Sequence, residues 1–261
     1  MNGNTRFWRL IFAMATIATL LGFSAREVLA DSSQNPYIVP PDQAASTTGQ
    51  TYGKWSGLWW QWMLAIPFGH NLPNPTFYSD GTHCNTNQSG TVWFLTEPAS
   101  GGVATEQCTV PFGQYIFIPI LNAECSTYEQ PLGVYPSSPY GPGCTDEASC
   151  SACAKTLADL INTGSVSASV DGTPVTGLQS PSSPFRTQSQ SPTFFQFSVP
   201  TNNFFATEGL SGAGSGMSVS DGYWLMIRPL TVGQHTIHVE AAFTKFKFGE
   251  NVTYNITVPK P

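Results

Sequence analysis

The chain has 261 residues, with 10 basic and 16 acidic side chains, a formal net charge of −6 and only 10% charged residues against 41% hydrophobic ones. An acidic chain without a basic cluster excludes nucleic acid and anionic membrane as natural partners. No run after the first 30 residues is apolar enough for a bilayer span, so no stable membrane span is expected.

Residues 1–9 carry Arg6 and Arg9 and no acid, an apolar run of 14 residues follows over 10–23, and Val28-Leu29-Ala30 closes the segment. This is the pattern of a signal peptide cut after Ala30, too short for the roughly 20 residues of a spanning helix. Export to the periplasm or beyond the cell is expected. Of the 261 residues, 231 then remain, with 7 basic and 15 acidic groups once Arg6, Arg9, Arg26 and Glu27 are gone. That length suits a single β domain over 50–261.

Residues 31–49 are polar and proline-bearing without an apolar period, which predicts a flexible lead-in. Over 52–66 the spacing predicts a helix, with Trp55, Leu58, Trp59, Trp62 and Ile66 on one face and Pro67 as its stop. Trp60 projects about 140° from that stripe, with Leu64 one turn later on the same side. Either the loop over 69–90 covers these two, or they form an apolar platform for a ligand. An exposed indole stacks on a flat ring while its N–H donates, so Trp60 and Leu64 are ligand-binding candidates. Asp80 and His83 lie in that loop and are candidates for acid/base work.

Residues 91–96 and 114–121 read as strands. The second has no polar alternation, which predicts cover on both faces, and Pro119 implies an edge position or a bulge. Asn122 and Glu124 end this apolar run. Asn122 is a ligand-binding candidate and Glu124 an acid/base candidate. Residues 128–143 read as loop, and 146–162 as a second helix with acids at its start.

The six cysteines, Cys84, Cys108, Cys125, Cys144, Cys150 and Cys153, all follow the signal segment, and an even count fits disulfides in an oxidising compartment. Cys84 with Cys108 is the expected pair, leaving the other four to staple the loop over 124–153. Cys150-Ser-Ala-Cys153 opens the second helix, where the dipole favours a redox thiolate, but the chain lacks a βαβ pattern and structural disulfides are expected. No metal site and no cofactor are expected.

From residue 165 the hydrophobic period becomes two. Val166, Ala168 and Val170 lead to the turn Asp171-Gly172 and to Val175 on the return. Further strands are expected over 194–199, 223–228, 235–240, 244–248 and 252–258. His235 and His238, three apart on a strand, face opposite ways and do not share a metal. Asp221, before Gly222, is a turn former and also an acid/base candidate. The fold class is all-β: a disulfide-stapled β-sandwich, immunoglobulin-like or jelly-roll-like, with two covering helices.

Trp55-x-x-x-Trp59-Trp60-x-Trp62 before a proline, Gln88-Ser-Gly-x-Val-Trp-Phe-Leu95, Cys108-x-Val-Pro111-x-Gly113 and Asp221-Gly-Tyr-Trp224, followed by Pro229-Leu-x-x-Gly233-x-His-Thr-Ile237, run through most of the mature chain. In this combination the chain resembles an uncharacterised group of bacterial exported proteins. The resemblance implies export and carries no activity and no catalytic residue. Leu230-x-x-Gly233-x-His-Thr-Ile-x-Val239 is also similar to a turn and strand of immunoglobulin-like modules, which speaks to fold alone.

Three functions fit these features. The first is a non-catalytic binding or surface-associated protein, with polysaccharide or a cell-envelope component as ligand. The second is a secreted hydrolase drawing on Glu124, Asp221, Asp80 and His83, which requires at least two of them to meet in one concave pocket. The third is a structural subunit of a surface assembly.

Overall fold

The computed structural model describes residues 35–134, 143–180, 182–189 and 194–261; the signal peptide expected over 1–30 lies outside them. The described residues form two five-stranded sheets accompanied by three α-helices. In the first sheet β1 (Val92–Phe94) pairs in parallel with β3 (Tyr115–Ser126), which pairs antiparallel with β8 (Gly214–Ile227). The far side of β8 takes both β6 (Arg186–Gln188) and β7 (Phe195–Val199). In the second, β2 (Gly102–Thr109) runs parallel to β10 (Gly249–Val258), and the order continues through β9 (Gly233–Ala242) and β4 (Ser167–Val170) to β5 (Thr173–Pro174).

Hydrophobic period sets which faces meet. Along β10 the side chains of Val252, Tyr254, Ile256 and Val258 are buried, alternating with half-buried polar residues. Residues from Ile116 to Leu121 are buried throughout, as a strand covered on both faces requires. Pro119 sits inside the sheet, and the register shifts between Pro119 and Leu121, so the bulge absorbs the missing N–H. One apolar cluster joins Phe117 and Trp224 of the first sheet to Ile237, Val252 and Tyr254 of the second. The Tyr254 hydroxyl crosses between them to donate to the Thr96 carbonyl at 3.0 Å.

Helix α1 (Pro41–Thr48) corrects the expectation of a flexible lead-in. Ile38, Val39 and Ala44 are buried, the Val39 N–H donates to Met226 O at 2.8 Å, and the Tyr52 hydroxyl donates to Val39 O at 2.8 Å. The segment is polar in composition yet docks as a short extension beside β8. Helix α2 (Tyr52–Leu64) is the Trp-rich helix, capped by Thr51 accepting from the Lys54 N–H. Beyond its end, the buried Asn74 donates to the carbonyls of Met63 and Ile66 at 2.9 and 3.0 Å. Helix α3 (Glu147–Ala158) starts on a capping box between Asp146 and Ser149.

Disulfides join Cys84 to Cys108, Cys125 to Cys153 and Cys144 to Cys150. The first is the expected pair and the other two staple the expected loop. Cys150 and Cys153 bond to different partners, so no Cys-x-x-Cys redox pair exists. Residues 244–248, expected as a strand, are instead the connection between β9 and β10, and both β2 and β6 lie where no strand was predicted.

Candidate functional site

Helix α2 is enclosed on more than one side, and its tryptophans divide differently from the projected stripe. Trp59 and Trp60 are both buried, whereas Trp55 and Trp62, expected on the inner face, are half-buried. The loop over 69–90 covers Trp62, whose Nε1 donates to Thr86 O at 3.1 Å. Trp60 is covered from elsewhere: its ring meets Phe204 edge-on at 6.2 Å and Trp59 at 5.3 Å, and its Nε1 donates to Asn122 Oδ1 at 3.0 Å. Leu64 is 0% exposed, which corrects its assignment as a ligand contact. Trp60 is 8% exposed, so it is no open platform, and that remaining edge together with Asn122 lines a cavity.

This cavity, about 120 Å³, is walled by α2, β3, the residues after β1, Phe204, and the start of β10. Glu97 and Glu250 line it beside Trp60, Asn122, Phe204 and Phe248. Thr76, Ala99, Phe204 and Phe248 also line a second cleft of about 570 Å³, which reaches Phe68, Phe77 and Glu208. The two are therefore an inner and an outer part of one depression. A row of rings follows it outward: Trp60 to Phe204, Phe204 to Phe68 at 5.4 Å, and Phe68 to Phe77 at 5.3 Å.

The inner end is acidic, and among the described residues no Lys, Arg or His lines it. Glu250 and Glu106 are each 3% exposed, and Glu97 is 9% exposed. Burial pushes the Glu97 carboxyl up to about 7. Glu106 rises to about 9, through burial first and then the charges of Glu97 and Asp80. Glu250 also rises to about 9, through burial and then Glu97 and Glu106. Glu106 Oε1 and Glu250 Oε2 are buried without a hydrogen-bond partner. Among the described residues, no group of three or more His, Cys, Asp or Glu is arranged to hold a metal ion.

These acids were missed in the sequence, although one of them carried a signal. The period that buries Val252 and Tyr254 extends back to Glu250, while the one that buries Ala104 and Cys108 and includes Glu106 lies where no strand was expected. A glutamate at an inward strand position needs a reason. Glu97, in a connection, has no such mark.

Of the four proposed acid/base residues, Asp80 and His83 share one loop, where the Thr82 N–H and, after it, the His83 charge lower the Asp80 carboxyl, while Glu124 and Asp221 are each engaged elsewhere. Glu124 accepts from the Ser218 hydroxyl, and burial lifts its carboxyl to about 7. Its neighbour Glu129 accepts from the Ser126 N–H and hydroxyl at 2.9 and 2.7 Å, and burial followed by the Glu124 charge raises it well above the ordinary range. Asp221 is bound by Arg186, Nε to Oδ1 at 3.0 Å, and Arg186 also reaches Asp159 at 2.8 Å. Its role is to tie β8 to β6 and α3. Asp80 and His83 are exposed on their loop, and the Asp80 carboxylate, held low by the backbone N–H of Thr82, stands in no cluster with Glu124 or Asp221. His235 bonds Asp171 at 2.8 Å while His238 bonds Asn251 at 3.2 Å, on opposite faces as expected.

No protein family model matches the chain, and no curated protein matches it. Among solved structures, the solution structure of amebosin is similar at 12% identity, covering 65% of this chain and 99% of that one with a TM-score of 0.19. The crystal structure of the cysteine protease inhibitor EhICP2 from Entamoeba histolytica is similar at 14% identity, covering 64% and 95% with a TM-score of 0.19. At that TM-score neither likeness bears on the fold or the function of this chain.

Proposed function

We propose that this chain is an exported, non-catalytic binding protein that takes a polysaccharide or a cell-envelope glycan in the depression between α2 and the start of β10. The observation that carries this reading is the row of rings from Trp60 through Phe204 and Phe68 to the half-exposed Phe77. Such a row offers apolar surface to the flat faces of successive sugar rings, while Asn122 and the carboxyls at the inner end supply polar contacts. Export is part of the proposal. Three disulfides fit an oxidising compartment, and among the described residues no helix is long and apolar enough to cross a membrane. Retention on insoluble glycans tests it, with Phe77→Ala as the informative variant because that ring is exposed and its loss leaves the core intact. The expected result is retention of the wild type and roughly tenfold weaker binding of Phe77→Ala, near 1.4 kcal/mol. Absence of retention on every glycan, or undiminished binding by the variant, removes the reading.

One observation favours a hydrolase instead. Glu97 and Glu250 line the same cavity, and Glu97, raised to about 7, is poised to exchange a proton near neutral pH. This moves the acid/base pair away from Glu124, Asp221, Asp80 and His83. It requires the wild type to release reducing ends from a polysaccharide and Glu97→Gln to stop doing so. A wild type that binds glycan without cleaving it leaves only the binding function.

A further inference from the structure

We infer that the ligand carries a positively charged amino group, and that this group docks in the inner cavity between Glu97 and Glu250, beside the rings of Trp60, Phe204 and Phe248. For a glycan this means an amino sugar with a free amine, and to that extent the inference rests on the glycan-binding reading.

Three features of the cavity support it. Glu250 lines the wall, is nine-tenths buried and keeps Oε2 without a donor; Glu106 lies behind the lining, opposite Tyr254 on the paired strand, and keeps Oε1 without one. A buried carboxyl oxygen with no donor is costly, and folded chains tolerate it where a ligand completes the site. Among the described residues no basic side chain lines the cavity and no ion pair reaches these glutamates. The ion pairs of the described residues join Lys155, Arg186 and His235 to Asp159, Asp221 and Asp171. The groups whose charges act on the three glutamates are other acids: Asp80 on Glu106, and the glutamates on one another. Finally, the walls mix carboxyls with aromatic rings, the combination that recognises an ammonium group through charge and ring quadrupole together. A metal ion is a poorer fit, because these acids are not arranged as a ligand set.

Size points the same way. The inner cavity is about a fifth of the outer cleft, 120 against 570 Å³, so it admits one substituent of a ligand whose body lies outside. Below about pH 7 the three glutamates hold their protons, since burial keeps Glu97, Glu106 and Glu250 above the ordinary carboxyl range and Tyr254 beside them neutral. Docking a cation therefore expels protons. Binding of a permanently charged ammonium must strengthen as the pH rises from about 6 to about 8.

The test compares a short glucosamine oligomer with its fully N-acetylated counterpart, which shares rings and linkages but lacks the charge, using tryptophan fluorescence and calorimetry. The amine form is expected to bind at least about tenfold tighter, with proton release, and Glu250→Gln is expected to abolish that difference, so that the two oligomers bind the variant alike. Equal affinity of the two oligomers overturns the inference and leaves glycan binding standing. A tetraalkylammonium salt is the second arm. If it perturbs the tryptophans, more strongly at pH 8 than at pH 6, while no glycan binds, the ammonium site stands and the glycan reading falls. If neither oligomer nor salt binds, both fall. Glutamine has the shape of the protonated acid, so Glu250→Gln is expected to fold, and its unfolding midpoint at pH 6 checks this.

Discussion

Glu106 and Glu250 occupy inward positions that their strands otherwise give to Ala104, Val252 and Tyr254. A carboxyl there keeps its proton because the ionised form would face apolar surroundings and other acids. The consequence is a stability that depends on pH. Each group has a folded pKa of about 9 against an ordinary 4.5, so it contributes stability that is complete below about pH 4.5 and is lost as the pH rises through about 9. At about 1.4 kcal/mol per unit, the loss across that window reaches several kcal/mol. Urea midpoints should therefore fall from pH 5 to pH 9, and Glu106→Gln, which cannot ionise, should flatten the fall. An unchanged slope in Glu106→Gln would place the titrating group elsewhere. The inward parity of Glu250 was legible by extending the expected strand over 252–258 back by two residues. That of Glu106 was not, because no strand was expected over β2, and the missing counter-charge is a property of what other segments bring.

Strand β3 and helix α2 together build the back wall of the depression, and β8 pairs with β3. Gly222 of β8 stands opposite Asn122 of β3, and a Cβ added there would press into Asn122 and lie 2.6 Å from the Leu121 carbonyl. The Asp221-Gly222 dipeptide reads as a turn in sequence, yet it lies within a long strand, and its glycine is needed for close approach to β3. Gly222→Ala is expected to destabilise by roughly 2–4 kcal/mol and to displace Asn122 from the Trp60 Nε1. Near-ultraviolet circular dichroism of the tryptophans should change along with the urea midpoint. A variant of wild-type stability and spectrum would show that the strands part easily here. The same elements explain how the tryptophans divide. A helical projection ranks residues by angle, but α2 is enclosed by β7 and β8, by the loop over 69–90 and by Phe204, so Trp60 is buried and Trp62 is only partly so.

At the scale of the whole molecule, the disulfides pin the segments that the sheets do not hold. Cys84–Cys108 closes a separation of 24 residues and fastens the loop over 69–90 to β2, while Cys125–Cys153 closes 28 and fastens α3 to β3. Loops of that length restrict the unfolded chain by about 3 kcal/mol each. Replacing Cys84 and Cys108 together by Ser should lower stability by that order and free the cover of Trp62, read by melting with and without reductant. A melting point insensitive to reductant and to this double change would make the bridge superfluous.

The sequence by itself determined the acidic, cysteine-bearing character of this chain, the mainly β architecture, the Trp-rich helix that the structure places over Tyr52–Leu64 and the turn at Asp171-Gly172. These follow from periods and short-range chemistry that a window of a few residues contains. Trp60 and Asn122 were also singled out there, and the folded chain brings them into one hydrogen bond. Only the tertiary structure decided that Leu64 is sealed, that residues 37–39 dock beside β8 with α1 following against α2, and that Glu97, Phe204, Phe248 and Glu250 surround the same cavity. Of those four only Glu250 falls in a strand period; Glu97, Phe204 and Phe248 come from separate connections, where neither period nor motif marks a position. The burial that sets their chemistry exists only once the two sheets and α2 have closed around them.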